Sequence, residues 1–130
     1  MKSAETAAAL LSARVQQPAG YARIVRDETG RVLRATGDCE LVRPSDAQIR
    51  EVVAGAYWFR TPALRAAIVP PAAMDRKYNL TEFIAPIVQA GGEVIAIPLE
   101  DPQEALGVYS EERARLAESL LATRVEASNT

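Results

Sequence analysis

The 130 residues are enough for one domain with a real core and too few for two. An apolar fraction of 48% and a charged fraction of 25% describe an ordinary globular protein and exclude a disordered tail. Fifteen basic against seventeen acidic residues leave a net charge of −2, which argues against nucleic acid as a partner, because backbone binding rests on clustered Lys and Arg.

The first segment is rich in Ala and Leu, with Ala7, Leu10, Leu11 and Val15 at helical spacing, and predicts an amphipathic helix over residues 3–17. Pro18 and Gly20 stop it. Tyr21 to Arg26 and Arg31 to Thr36 read as two strands of a hairpin, joined by Asp27-Glu28-Thr29-Gly30. Gly30 supplies the left-handed position that closes such a turn. Gly37 and Asp38 end the second strand.

Pro44-Ser45-Asp46 opens a second predicted helix, with Ser45 and Gln48 at capping-box spacing. Ile49, Val52, Val53, Ala56 and Tyr57 form its apolar stripe, and Thr61-Pro62 ends it. Leu64 to Val69 predicts a short strand, and Ala72 to Asn79 a loop. Leu80 to Val88 reads as a strand because Pro86 disfavours a helix interior. Asn79 with Glu82 also allows a capped helix there. After the Gly91-Gly92 turn, the apolar run Glu93 to Leu99 predicts a buried strand. A last helix runs from Ser110 to Val125, capped by Ser110, and residues 126–130 are a polar tail.

The predicted fold is therefore one α+β domain over residues 1–130, in the order α-β-β-α-β-β-β-α, with helices on the faces of one antiparallel sheet. The chain has no histidine, which removes Ser–His–Asp and Cys–His catalysis and most zinc sites. The single cysteine, Cys39, excludes an internal disulfide, and its acidic neighbours Asp38 and Glu40 disfavour a reactive thiolate. The carboxylate pairs Asp27-Glu28, Glu100-Asp101 and Glu111-Glu112 each have a place in a turn, a loop or a helix start. No catalytic residue, metal site or cofactor is expected. Apolar runs are shorter than the roughly 18 residues that a membrane helix needs, and the opening residues make a poor secretory signal. The expected location is cytoplasmic, without membrane insertion.

Tyr57-Trp58-Phe59-Arg60 holds three of the seven aromatics at the end of the second predicted helix. Aromatics and Arg are the residue types enriched at interface hot spots. With Arg50 on the same helix, Tyr57, Trp58 and Arg60 are the candidate partner-binding residues.

The stretch Gly20 to Asp38, with its Asp-x-x-Gly turn and closing Gly-Asp, resembles the opening hairpin of the roadblock/dynein light chain family. Gly92 to Leu99, followed by Ala105-Leu106-Gly107 and the last helix, is similar to that family's end. The resemblance implies a roadblock/profilin-like fold and a homodimer. It also implies a non-enzymatic module that binds a small Ras-like GTPase, as a hydrolysis-stimulating regulator or as a scaffold. The alternative is a GAF- or profilin-like sensory domain for a small ligand, which Ala85 to Ile97 also resembles. If Leu80 to Val88 is helical, the second half resembles the C-terminal domain of release-factor-like proteins instead.

Overall fold

In the computed structural model, residues 5–37, 44–68, 79–108 and 110–129 are described. They form strands β1 (Thr6–Arg14), β2 (Arg23–Arg26), β3 (Val32–Thr36), β4 (Glu51–Phe59) and β5 (Glu93–Pro98), with helices α1 (Thr61–Ala67), α2 (Ile84–Gln89) and α3 (Glu111–Ser128). The strands lie in the order β3-β2-β4-β1-β5. The α+β class holds, but the sheet is mixed: β1 runs antiparallel to β4 and parallel to β5. The observed order β-β-β-β-α-α-β-α replaces the predicted one.

The first correction is β1. The helix predicted over residues 3–17 is a strand held between two others, with Ala7, Ala8, Leu10, Ser12 and Ala13 all buried. Ala9 and Leu11, between the buried Ala8, Leu10 and Ser12, are apolar although only partly covered, so the sequence lacks the apolar–polar alternation that marks a half-exposed strand. What remained was an Ala- and Leu-rich run whose apolar positions fell at helical spacing by coincidence. Tertiary burial overrode propensity.

The second predicted helix is also a strand. Pro44–Gln48 forms only a 3-10 turn, and β4 begins at Glu51. Val52, Val53 and the aromatics Tyr57 to Phe59 suit a pleated surface better than a helix. Leu10 lies opposite Tyr57, yet Ser12 lies opposite Val53, so residues 54–56 all face Leu11 in a bulge. Gly55, at φ +91°, makes that bulge.

Two prolines start helices rather than stopping them. Pro62 lies in the first turn of α1, where its missing N–H would have had no helical partner anyway. The strand predicted from Leu64 is accordingly α1; its last residue, Val69, lies outside the described residues. Pro86 occupies the first turn of α2 for the same reason. The segment predicted as a strand from Leu80 to Val88 is thus a 3-10 turn, Leu80–Phe83, continued by α2. Its entry is the Asn79–Glu82 capping box, with the Asn79 N–H donating to Glu82 Oε2 at 2.9 Å.

The hairpin and the last helix follow the sequence pattern, and β5 is a strand as expected but not a buried one, since only Val94 of its residues is buried while Ile95 and Ile97 are exposed. Asp27 Oδ1 accepts from the N–H groups of Thr29 and Arg31, and Gly30 has φ +90°. Helix α3 starts after Ser110, whose hydroxyl accepts from the Arg113 N–H, and continues to Ser128, so most of the predicted polar tail is helical. Cys39, Asp38, Glu40, Lys2, Lys77 and the predicted loop from Ala72 to Tyr78 lie outside the described residues.

Alternation along the strands sorts the core onto two faces. On one, Ala8, Leu10, Ile24, Val53 and Val94 pack with Ile84 and Ile87 of α2 and Ala67 of α1. On the other, Ala13 and Val52 pack with Ala105, Tyr21 and Leu99. This second cluster occupies only one end of its face, the end where the chain leaves β1 and β5.

Candidate functional site

Strands β1 and β5 are parallel, so their carboxyl ends emerge side by side, at Arg14 and Pro98. In open α/β sheets the crevice beyond such ends is where ligands bind. Here a groove opens at that place, lined by Arg14, Gln16, Gln17, Tyr21, Gln103 and Arg113 over an apolar floor that includes Val15 and Leu106.

Tyr21 organises the groove. Its N–H closes a turn onto the Pro18 carbonyl at 3.0 Å, which aims the ring back towards the sheet. Its hydroxyl accepts from the Gly107 N–H at 3.3 Å and from Arg113 Nη1 at 3.2 Å. The Arg113 guanidinium also lies 5.9 Å from the Tyr21 ring centroid, within cation–π range. A phenol accepting two hydrogen bonds still has its own hydrogen to donate. Two guanidinium side chains, three side-chain amides and this hydroxyl make the rim rich in donors. Such a rim suits phosphate oxygens and sugar hydroxyls. Among the described residues, no carboxylate lines it. Among the described residues, no group of His, Cys, Asp and Glu side chains could hold a metal ion.

The acidic group closest to an active-site character, Glu51, stands opposite Arg14 in the β1–β4 register and is already committed. Arg26 binds both its oxygens, at 2.7 and 2.9 Å, and the buried Ser12 hydroxyl donates to it at 3.1 Å. The Arg26 hydrogen bonds hold the Glu51 carboxyl below its ordinary range, against an opposing effect of burial. This is an ion pair that ties β1, β2 and β4 together.

The four residues singled out in the sequence do not share a helix or a surface. Arg50 is exposed just before β4, where its carbonyl accepts from Val15. Tyr57 packs into the α2-covered core and stacks on Phe59 at 5.8 Å, and burial raises its phenol pKa. Trp58 points to the opposite face and is 52% exposed. Arg60 follows the strand, with Nε donating to the Thr6 carbonyl at 3.3 Å and Nη1 3.4 Å from Glu5. Arg50 and Arg60 stand at opposite ends of a nine-residue strand, roughly 30 Å apart at the usual rise. Sequence reasoning overlooked Tyr21 and Arg113, which are separated by 92 positions and meet only in the fold. The one local signal was Pro18-x-Gly20-Tyr21, a tight turn presenting an aromatic between two strands.

No protein-family model matches the chain. It is similar to proteins named bifunctional protein GlmU. The one from Pelotomaculum thermopropionicum is 34% identical over 126 residues, covering 95% of this chain and 27% of that protein. The one from Heliobacterium modesticaldum is 37% identical over 123 residues, covering 89% and 26%. The one from Aquifex aeolicus is 30% identical over 119 residues, covering 89% and 25%. The chain thus spans about a quarter of the length of the curated relatives it matches.

These likenesses overturn the roadblock assignment, and with it the GTPase partner and the hydrolysis-stimulating or scaffold role. They also correct the expectation of a non-enzymatic module, because they point to an enzyme-related domain. The fold agrees with the correction, since two helices on which the roadblock resemblance depended are β1 and β4. What the resemblance had caught was turn and packing chemistry, which unrelated folds share. Among the described residues, no helix is long and apolar enough to cross a membrane.

Proposed function

We propose that the chain works as a segment of an enzyme of the GlmU kind, serving acetyl or nucleotidyl transfer in UDP-GlcNAc synthesis. In this reading the groove beyond β1 and β5 is its contribution to substrate binding. The observation that carries the proposal is the 34% identity to the Pelotomaculum protein across 95% of this chain. The groove's chemistry supports it. Arg14 and Arg113 offer planar, permanently charged donors to phosphate oxygens, and Tyr21 and the Gln side chains offer neutral donors and acceptors to sugar hydroxyls. Hydrogen bonds from Gly107 and Arg113 fix the Tyr21 hydroxyl before any ligand arrives, so little ordering cost falls on binding. The groove therefore binds and orients, and groups beyond its rim carry out the transfer.

The test places this chain in the Pelotomaculum protein in exchange for the matching segment, and compares the chimera with its Arg14→Ala and Arg113→Ala variants. Loss of a charge-assisted phosphate contact raises KM roughly tenfold or more with a smaller change in kcat. An active chimera whose KM values are unmoved by both substitutions removes the groove from the substrate site.

A further inference from the structure

Helix α3 runs along the groove rather than into the core. Arg113, Leu116, Leu120 and Arg124 follow one another at intervals of three, four and four residues, on one face of the helix. Arg113, Leu116 and Leu120 line the groove together with Arg14, Val15 and Tyr21. At the near end, Arg113 Nη1 donates to the Tyr21 hydroxyl at 3.2 Å. At the far end, Arg124 Nη1 donates to Glu104 Oε1 at 3.3 Å and Nη2 donates to Asp101 Oδ2, both on the 3-10 turn that supplies Pro102, Gln103 and Leu106 to the groove. The two arginines stand about 16 Å apart along the axis at the usual helical rise, so the helix is held on either side of the groove wall it forms.

Little apolar burial goes with these contacts. Among the described residues, none of α3 is buried, and every one from Leu121 to Asn129 is exposed. Even Leu116, on the docked face, is 47% exposed. The much shorter α2, by contrast, buries Ile84 and Ile87. Hydrophobic attachment scales with the area removed from water, so polar contacts carry a large share of what holds α3. The Arg124, Asp101 and Glu104 side chains are themselves nearly half exposed. Ion pairs in that setting are weak and are screened by salt. A helix of 18 residues is only marginally stable by itself in water, so α3 frays once it is released.

We infer that α3 is a strap over the groove, latched by Arg113 on Tyr21 and by Arg124 on Asp101 and Glu104, which swings away as a unit to admit and release the groove's ligand. Elements that gate ligand sites come from the least stable parts of a fold. Helix α3 combines that property with three of the side chains that line the groove. Opening takes Arg113 from the rim and uncovers the floor at Leu106, while the sheet, α1 and α2 keep their packing. Closing returns a guanidinium to the Tyr21 hydroxyl and to the ligand beside it. The inference rests on the reading of the groove given above and adds how access to it is controlled.

Hydrogen exchange and thiol labelling of the 130-residue chain test it with no ligand present. In Arg124→Ala the amides from Leu116 to Thr123 exchange roughly 5-fold faster, as the loss of two exposed ion pairs allows, while those of β1 and β4 keep their rates. Raising NaCl from about 0.05 M to about 1 M does the same to the parent chain. Arg124→Lys, which keeps the charge, restores most of the protection. Leu106→Cys, made together with Cys39→Ser, reacts with a thiol reagent faster by the same factor when α3 is loosened in either way. Three results overturn the inference. Amides of α3 as protected as those of β1 at both salt concentrations make the helix part of the core. Fast exchange indifferent to Arg124 and to salt makes it a permanently free arm. Labelling at position 106 that ignores the exchange of α3 separates the helix from the groove. If Leu106→Cys unfolds the chain, the exchange rates decide alone. Product formation by the chimera is scored separately: an inactive chimera leaves a responsive strap in place and removes the enzymatic reading, and an active one with an unresponsive α3 does the reverse.

Discussion

Arg26 grips Glu51 through two hydrogen bonds, Nε to Oε1 at 2.7 Å and Nη2 to Oε2 at 2.9 Å, while its Nη1 donates to the Gly30 carbonyl at 2.7 Å. One guanidinium thereby joins the hairpin turn to β4, and through Glu51 and Ser12 to β1. The order β2-β4-β1, which the sequence disguised most thoroughly, is cross-linked on one face by these three side chains.

This pair makes stability depend on pH in a defined direction. The Glu51 carboxyl has a lower pKa folded than unfolded, so it contributes stability above the ordinary value of 4.5. That contribution is lost as pH falls from there through the lowered folded value, because the unfolded chain takes up the proton first. Glu51→Gln should cost about 1 kcal/mol at neutral pH, discounted for the partly exposed Arg26. Urea unfolding from pH 7 to pH 3 should show the two proteins converging in acid. A constant difference across that range contradicts the assignment.

Gly92 and Gly55 resist alanine for different reasons. A Cβ on Gly92 would stand 2.8 Å from the Ala7 Cβ and 2.9 Å from Ile87 Cγ2, both in the packed core. Gly92→Ala should therefore cost about 1–3 kcal/mol through overpacking. Gly55 has nothing within 4 Å of such an atom but lies at φ +91°, so Gly55→Ala should cost about 1–2 kcal/mol through backbone conformation alone. Measured against Ala7→Gly alone, Gly92→Ala should recover part of its loss, because the contacts with Ile87 Cγ2 and the Ile87 carbonyl remain, and Gly55→Ala should recover none. Equal recovery in both would refute the distinction.

Tyr21→Phe keeps the ring and removes the acceptor shared by Gly107 and Arg113. The loss should be about 1 kcal/mol overall, concentrated where α3 joins the sheet. Faster amide exchange at Gly107 with unchanged exchange in α2 is the expected pattern. Uniform loosening would show that Tyr21 serves the core rather than the groove.

Much of the outer fold was legible and the centre was not. The hairpin announced itself through Asp27-x-x-Gly30, β5 through its apolar run, and α3 through Ser110 with two acids behind it. Strand β1 hid because Ala9 and Leu11, on its less covered face, are as apolar as the buried Ala8 and Leu10, which leaves no apolar–polar alternation to read. In β4 the bulge at Gly55 broke the period of two, and Ile49, Val52, Val53 and Ala56 imitated a helix face. Pro62 was read as a stop and Pro86 as a bar to a helix interior because the helices whose first turns they occupy are only seven and six residues long. The groove was invisible for a different reason: Arg14, Tyr21 and Arg113 come from three separate elements, and no local pattern links them. Absence of histidine excluded particular mechanisms but not an enzyme-related domain.

The central proposal is that this chain is a working segment of a GlmU-like enzyme, and the most direct measurement is product formation by the Pelotomaculum protein carrying it in place of the matching segment. The account predicts product at a measurable fraction of the parent rate, and none from a version in which the segment is deleted. A chimera that folds and still forms no product would contradict it.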